Sequence, residues 1–428
     1  MKVDLHGMQI QVVGVNHSTT PIEVREKLAV SNNQFSDALF LLSSHLNQGL
    51  ILSTCNRTEV YSVSNGDCSP EAGSISFLEA WAKASDDDLL PYLYFYRDKA
   101  AARHLFRVAA GLDSMIIGEF EILGQVRQSL EEAEKAHTVE VPLRNLFYHA
   151  LQVGRHVREK TGISKNALSV SSVAVDLAAK AIGNLNNHKA LVIGTGEAGR
   201  LVAKALKERG ISQILVTSRS HDNASALAAV LGGSSVNLGN LSDELDNCDI
   251  VISCTGAPHI ILDRQTLENT MHTRSGRPLV VIDIAVPRDV DPEVKQISNV
   301  FLYDIDDLTH LSDLNRKQRE TETRSAMKII EAELKIFTSR WQAAEVTPVI
   351  SSLAKKAEDI RQTQVDMTLK KLRSLSPEEH ESLEAMTKAI VQKILHDPIQ
   401  CLKNNDHKRE DYVSVISELF QLDREELE

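Results

Sequence analysis

Apolar and polar positions change their spacing along the 428 residues, and the changes divide the chain into segments. Over 1–160 the pattern is mixed. The run IQVVGVN (10–16) predicts a strand, Thr20-Pro21 opens a helix that runs through Leu28, and a second helix covers about 32–46. Strands lie on either side of Cys55. Asp98 stands where it would cap the next segment, whose stripe Ala101, Leu105, Val108 and Leu112 has helical period. EFEILGQVRQSLEEAEKAH (119–137) predicts a further amphipathic helix.

From 161 to 305 short apolar runs alternate with helical stretches. A helix over 167–183 leads to KALVIGTGEAGRLVAKALKERG (189–210), then to QILVTSRS, CDIVISCTG and PLVVIDIAVP, the signature of a doubly wound parallel sheet. From Asp306 the pattern is helical throughout. Leu308, Leu311 and Leu314, then Ile330, Leu334, Phe337 and Trp341, bracket the wholly polar stretch 315–324. One continuous helix of about 36 residues would be about 54 Å long, and a segment polar on all sides reads as a bridge through solvent. Further helices are expected beyond Pro348. Ser376, Pro377 and Glu379 form a capping box, and the stripe Leu383, Met386, Ile390 and Ile394 needs a partner surface, which reads as an oligomerisation module.

Composition narrows the function. A net charge of −12 removes any general attraction to nucleic acid or anionic membrane, so an RNA contact would need a local basic face. Five cysteines, Cys55, Cys68, Cys248, Cys254 and Cys401, are too few and too scattered for a disulfide framework or a metal site and fit a reducing compartment. No run is apolar enough to span a bilayer, so a cytoplasmic location is expected.

Two motifs carry chemistry. In LILSTCNRTEVYS (50–62), Cys55 is flanked by Thr54, Asn56 and Arg57. A neighbouring guanidinium favours the nucleophilic thiolate, although free cysteine is more often a small buried hydrophobe, and the residues leave both readings open. In VIGTGEAG, Gly194, Gly196 and Gly199 follow a strand and open a helix, and Thr195, Glu197 and Ala198 complete a loop that lets backbone approach a pyrophosphate. The next strand ends at Ser218, Arg219 and Ser220 with no acid for a ribose 2′-hydroxyl, so NADPH is the expected cofactor. A thiolate and a reduced nicotinamide together fit reduction of a thioester to an aldehyde, and run backwards they fit aldehyde oxidation.

GVNHSTTPIEVREKLA, LSTCNRTEVY, HLFRVAAGLDSMIIGEFEILGQV and GTGEAG together resemble the glutamyl-tRNA reductase family over nearly the whole chain. The resemblance implies a multidomain α/β fold: an α+β catalytic domain (1–160), a Rossmann-type NADPH domain (161–305), a long linking helix (306–345) and an all-α dimerisation domain (346–428). It implies that Cys55 takes the glutamyl group from tRNA as a thioester. Thr54, Asn56 and Arg57 would surround that group, with Arg57 pairing its free carboxylate, and His104 would assist. Ser114, Glu119, Phe120, Glu121 and Gln125 fall at further substrate positions, although this chain reads GEFE where the family has Gly-Glu-Pro-Gln. A homodimer, NADPH-dependent formation of glutamate-1-semialdehyde at the first step of tetrapyrrole synthesis, and transfer of that aldehyde to its aminomutase are implied as well; haem feedback belongs to the family but has no sequence feature here.

Taken alone, the basic segment 144–165, with Arg144, Arg155, Arg158, Lys160, Lys165, His149 and His156, reads as a solvated helix face; the family resemblance makes it and NRKQR (315–319) the expected RNA contacts. Cys254 reads as buried, Cys248 and Cys68 as lacking polar partners that would activate them, Cys401 as part of a helical-tail loop, His17 as local structure and SDDDLL (85–90) as a helix start. Two other readings stay open: a shikimate-dehydrogenase-like reductase using a Lys/Asp pair, and a non-catalytic sensor of NADPH or haem.

Overall fold

The computed structural model describes residues 8–65, 70–84, 89–164, 170–312, 320–372, 375–404 and 409–422. Cys68, Lys165, Leu314, the NRKQR run and 85–88 of SDDDLL lie outside the described residues. The chain packs as two compact units, one formed by Ile10–Val63 and Ser69–Ala332, the other built on the residues from Glu333 onward.

The first unit opens with a four-stranded sheet of order β2-β3-β1-β4, from β1 (Met8–Asn16), β2 (Gly49–Ser53), β3 (Arg57–Asn65) and β4 (Tyr94–Arg97). Val12, Val13, Leu50, Ile51, Leu52, Val60 and Tyr61 are sealed on both faces because helices cover the sheet. These include α1 (Ile22–Leu28), α2 (Phe35–Ser43), α3 (Pro70–Ala82), α4 (Asp98–Ala109), α5 (Glu121–Lys135) and α6 (Val141–Lys160). The predicted cap of α4 is displaced by one residue. Arg97 takes the capping position, and Asp98 sits inside the helix with its carboxylate accepting from Ile10 N–H at 3.2 Å.

The same unit continues into the expected parallel sheet, which has six strands in the order β10-β9-β8-β5-β6-β7; β7 and β10 are not among the four runs read from the spacing. Its strands are β5 (Lys189–Ile193), β6 (Gln213–Ser218), β7 (Ser234–Asn237), β8 (Ile250–Ser253), β9 (Leu279–Asp283) and β10 (Val300–Asp304). Alternate residues enter different cores. Ala190, Val192, Ile252 and Ile282 pack with α7 (Val170–Ile182) and α8 (Glu197–Glu208), whereas Leu191, Ile193, Val251 and Val281 face the opposite side. Both faces are apolar because both are covered. α9 (His221–Leu231), α10 (Leu241–Leu245) and α11 (Arg264–Thr273) complete the layers, and α12 (Ile305–Ser312) follows β10 directly.

The second unit is helical. α13 (Glu320–Lys371) is one helix of 52 residues, about 78 Å of axis, and it runs through Pro348, where the sequence predicts a break. It packs with α14 (Pro377–Asn404) and α15 (Arg409–Leu419) around Val346, Val349, Leu353, Leu395, Leu402, Val413 and Ile416. The capping box is present: Glu379 N–H donates to Ser376 Oγ at 3.2 Å and Ser376 N–H to Glu379 Oε2 at 2.8 Å. Cys401 lies on α14 and not in a loop.

Candidate active site

β2 and β3 pair antiparallel with Ser53 opposite Thr58, and Thr54 N–H donates to Arg57 O at 2.8 Å. Cys55 and Asn56 are therefore the tip of a tight hairpin. Asn56 N–H donates to the Thr54 hydroxyl at 3.1 Å, and Asn56 O accepts from His17 N–H at 2.8 Å. The sulfur is half-buried and packs against the core that contains α7 and α8 of the parallel sheet. The thiol thus sits where the two sheets' packing meets.

Arg57, expected to pair a substrate carboxylate, lies in a buried network. Arg57, Glu59 and Tyr61 alternate along β3 and so share one face. The Arg57 guanidinium is sealed, donating to Glu59 at 2.6 Å and to Asp113 O at 2.5 Å, which leaves it no open side for a substrate carboxylate. Glu59 is the hub. It also accepts from Tyr61 OH at 2.6 Å and Tyr94 OH at 2.5 Å, and lies 2.9 Å from His104 Nε2. Burial alone would raise the Glu59 pKa, but His104 and Arg57 hold its carboxyl well below the usual range. Burial and Glu59 push the Tyr61 and Tyr94 hydroxyls well up, so they remain donors. His104 is buried, with its other nitrogen 3.6 Å from Asp113 and its ring tilted against Tyr96 at 4.9 Å.

Burial pushes the Cys55 thiol up to about 12, Glu119 and Glu121 add to the push, and Arg25 opposes it. The guanidinium favouring the thiolate is therefore Arg25 of α1, not the sequence neighbour Arg57. Glu119 is buried and raised for that reason, although the Ser114 hydroxyl and Arg57 work against the rise. Glu121 is brought to about 7 by burial, then by Glu119 and by Glu197 of α8. Its Oε1 has no hydrogen-bond partner among the described residues. Gln125, one turn on, is half-buried beside it, whereas Phe120 is 62% exposed and turned from this group.

The glycine loop is shaped for a dinucleotide. At Gly199 a Cβ would lie 2.1 Å from Gly194 O, and at Gly194, with φ of +115°, it would lie 2.7 Å from Cys254 O. A Cβ at Gly196 would meet nothing within 4 Å. Strand and helix are thus pressed together beneath an open cradle, and α8 begins with no side-chain cap on its N–H groups. Thr195 and Ala198 are half-buried and Glu197 exposed along the rim. After β6, Arg219 is exposed, Ser218 Oγ donates to Ser220 O at 2.7 Å, and Ser220 caps α9 by accepting from Asn223 N–H at 3.4 Å. Cys254 is buried under the loop, its Sγ 3.3 Å from Ile193 O.

Among the described residues, the basic segment divides between cations that brace the fold and cations that stay exposed. Arg158 donates to Ala109 O at 2.7 Å, Gly154 O at 3.0 Å and Glu119 O at 2.9 Å, so it braces the site. Arg144 pairs with Glu134 at 3.0 Å, and His149 is buried against Phe106. Arg155 and Lys160 remain exposed, and His156 is half-buried. Sequence reasoning passed over Glu59, Tyr94, Arg25 and Asp289. Only Glu59 left a signal, a charged residue in register with Arg57 and Tyr61. Asp289 accepts from Ser253 Oγ at 2.6 Å and Thr255 Oγ1 at 2.6 Å, fixing the loop after β8.

Comparison with known proteins covers the chain from end to end. Residues 13–161 match the model of the glutamyl-tRNA(Glu) reductase N-terminal domain, 176–311 that of shikimate/quinate 5-dehydrogenase, and 325–422 that of the glutamyl-tRNA(Glu) reductase dimerisation domain. A glutamyl-tRNA reductase of Carboxydothermus hydrogenoformans is 43% identical over 97% of this chain and 93% of its own. One from Bacillus subtilis is 39% identical over 97% and 92%. The solved glutamyl-tRNA reductase of Methanopyrus kandleri superposes with a TM-score of 0.51 at 31% identity, covering 96% of this chain and 99% of that one. With a hairpin cysteine, a dinucleotide cradle and a helical module in the same order, the chain belongs to the glutamyl-tRNA reductase family.

Proposed function

We propose that the chain reduces glutamyl-tRNA(Glu) to glutamate-1-semialdehyde with NADPH, through a thioester on Cys55, releasing the tRNA. The observation that carries this reading is the place of Cys55: partly buried at a hairpin tip and packed against the core beneath the dinucleotide loop. Attack of Sγ on the ester carbonyl forms the C–S bond and breaks the bond to the tRNA 3′ oxygen, which leaves with the proton that the thiol gives up, so the acyl group stays on the sulfur. When bound, reduced nicotinamide supplies the hydride that converts the thioester to the aldehyde and frees the thiol. Gly194, Thr195, Gly196, Glu197, Ala198 and Gly199 would hold the pyrophosphate, and Ser218, Arg219 and Ser220 the 2′-phosphate, since the chain at the end of β6 reads Ser-Arg-Ser without an acid.

Thr54, Asn56, Ser114, Glu119, Glu121 and Gln125 would surround the glutamyl group, with Arg57 and His104 acting from behind through Glu59. The reactive aldehyde fits direct transfer to its aminomutase. Cys55, Cys248, Cys254 and Cys401 are free thiols, which suits the reducing cytoplasm. One experiment tests the core of this. Glutamyl-tRNA added without nucleotide should leave a glutamyl thioester on Cys55, which NADPH discharges to the aldehyde far faster than NADH does. Reduction at the parental rate by a folded Cys55→Ser variant would overturn the reading.

A further inference from the structure

Arg25 has no part in that chemistry, yet its side chain is 2% exposed and reaches three groups at once. Nε donates to Thr20 O at 3.1 Å, Nη1 donates to Cys55 O at 3.1 Å, and Nη2 meets the Asp306 carboxylate. Asp306 opens α12, immediately after β10, so this one guanidinium joins the hairpin tip to the edge of the dinucleotide sheet. The same helix is gripped a second time. Arg288, in the loop after β9, donates to Glu26 at 3.0 and 2.8 Å and to Glu23 at 3.3 Å. α1 therefore presents Glu23, Arg25 and Glu26 to two segments of the second sheet.

We propose that Arg25 is a positioning residue for Cys55, and that Asp306 sets how much of its charge reaches the sulfur. The functional importance of this coupling rests on Cys55 being the acyl carrier. The coupling itself is a property of the thiol and is read without substrate. The charged groups facing the sulfur are Glu119 and Glu121, from the segment that opens α5, and Arg25 from α1. Those facing Arg25 are Asp306 and, across the hairpin, His17. Two acids oppose a thiolate and one guanidinium supports it. Asp306 lies on the far side of that guanidinium and is 41% exposed, so its contact draws positive charge away from the sulfur. Withdrawing Asp306 should make Cys55 more nucleophilic, and removing Arg25 should make it less so.

The test is alkylation of Cys55 by iodoacetamide in the full chain, followed on its own peptide by mass spectrometry across a range of pH. Asp306→Asn should speed alkylation by about 3- to 10-fold at a given pH, since one unit of pKa is tenfold in thiolate. Arg25→Gln should slow it by a similar factor. Arg25→Lys keeps the charge but not the three-pronged fork, so it should alkylate near the parental rate while losing kcat. A role confined to packing would move Asp306→Asn and Arg25→Gln in the same direction. That result, or parental rates in both, would overturn the proposal. Should Arg25→Gln fail to fold, the surface variant Asp306→Asn decides alone. Retained reduction by Cys55→Ser would sink the acyl-carrier reading and leave the alkylation result standing.

Discussion

Glu59 shows how one buried side chain can organise a site that it does not enter. Its carboxylate collects Arg57, Tyr61, Tyr94 and His104, all buried or nearly so, and thereby fixes the residues on either side of Cys55. Glu59→Gln leaves the Arg57 charge uncompensated in the interior, which costs about 3–5 kcal/mol. The folded pKa of Glu59 lies below its unfolded value, so its contribution is complete above about pH 4.5 and is lost as pH falls through the folded pKa. Urea unfolding at neutral and acid pH should show the variant's deficit shrinking as the solution is acidified. Glu121 has the opposite sign. Its carboxyl is raised to about 7, so the parent loses stability as pH climbs from about 4.5 to 7. Glu121→Gln, which restores the family's amide, should stabilise by about 1–3 kcal/mol above pH 7 and by nothing near pH 4.5. The same change should speed Cys55 alkylation several-fold, because one of the two acids that oppose the thiolate is gone. Cys55 itself was legible from its polar neighbours. The direction of Arg57 was not, because alternation along β3 decides it and the acid two residues on captures it.

At the scale of elements, periodicity predicted three strands of the first sheet, four of the parallel sheet and many of the helices, because covered strands are apolar on both faces and helices on one. It failed where a long-range contact overrides a local rule. Asp98 is the right residue type for a cap but is drawn to the backbone of β1. Arg158 looks like a surface cation and instead satisfies the carbonyls of Ala109, Gly154 and Glu119, close by Gly154, where a Cβ would lie 2.6 Å from Ala109 O. The glycine loop is the element whose sequence and geometry agree most fully, and its glycines separate folding from binding. Gly196→Ala places a methyl in open space, so stability should change by less than about 0.5 kcal/mol while NADPH affinity falls at least tenfold. Gly199→Ala drives a methyl into Gly194 O and should cost about 1–3 kcal/mol as well as the cofactor. Thermal melts with and without NADPH distinguish the two. Equal melting temperatures for both variants without nucleotide would contradict the packing described.

For the molecule as a whole, the helical unit sets the state of assembly. The sequence predicts a break at Pro348, yet α13 continues, because Val346, Val349 and Leu353 on either side of the proline are buried in a shared core. Pro398 within α14 is likewise bracketed by the buried Leu395 and Leu402. Outside that core, among the described residues, Met386, Ile390 and Ile394 remain 53%, 49% and 62% exposed at helical spacing. In a region that matches a dimerisation domain, an apolar stripe on a helix whose other face is packed is expected to pair with the same stripe of a second copy. Changing Ile390 and Ile394 together to Lys removes about 3–6 kcal/mol of apolar burial from such an interface, enough to weaken association at least a hundredfold. Sedimentation should then show monomers at concentrations where the parent is a dimer. The helical content should be unchanged, because neither residue belongs to the internal core. A variant that stays dimeric would place the contact on another face, and one that loses its helices would show that the stripe is needed for folding rather than for pairing.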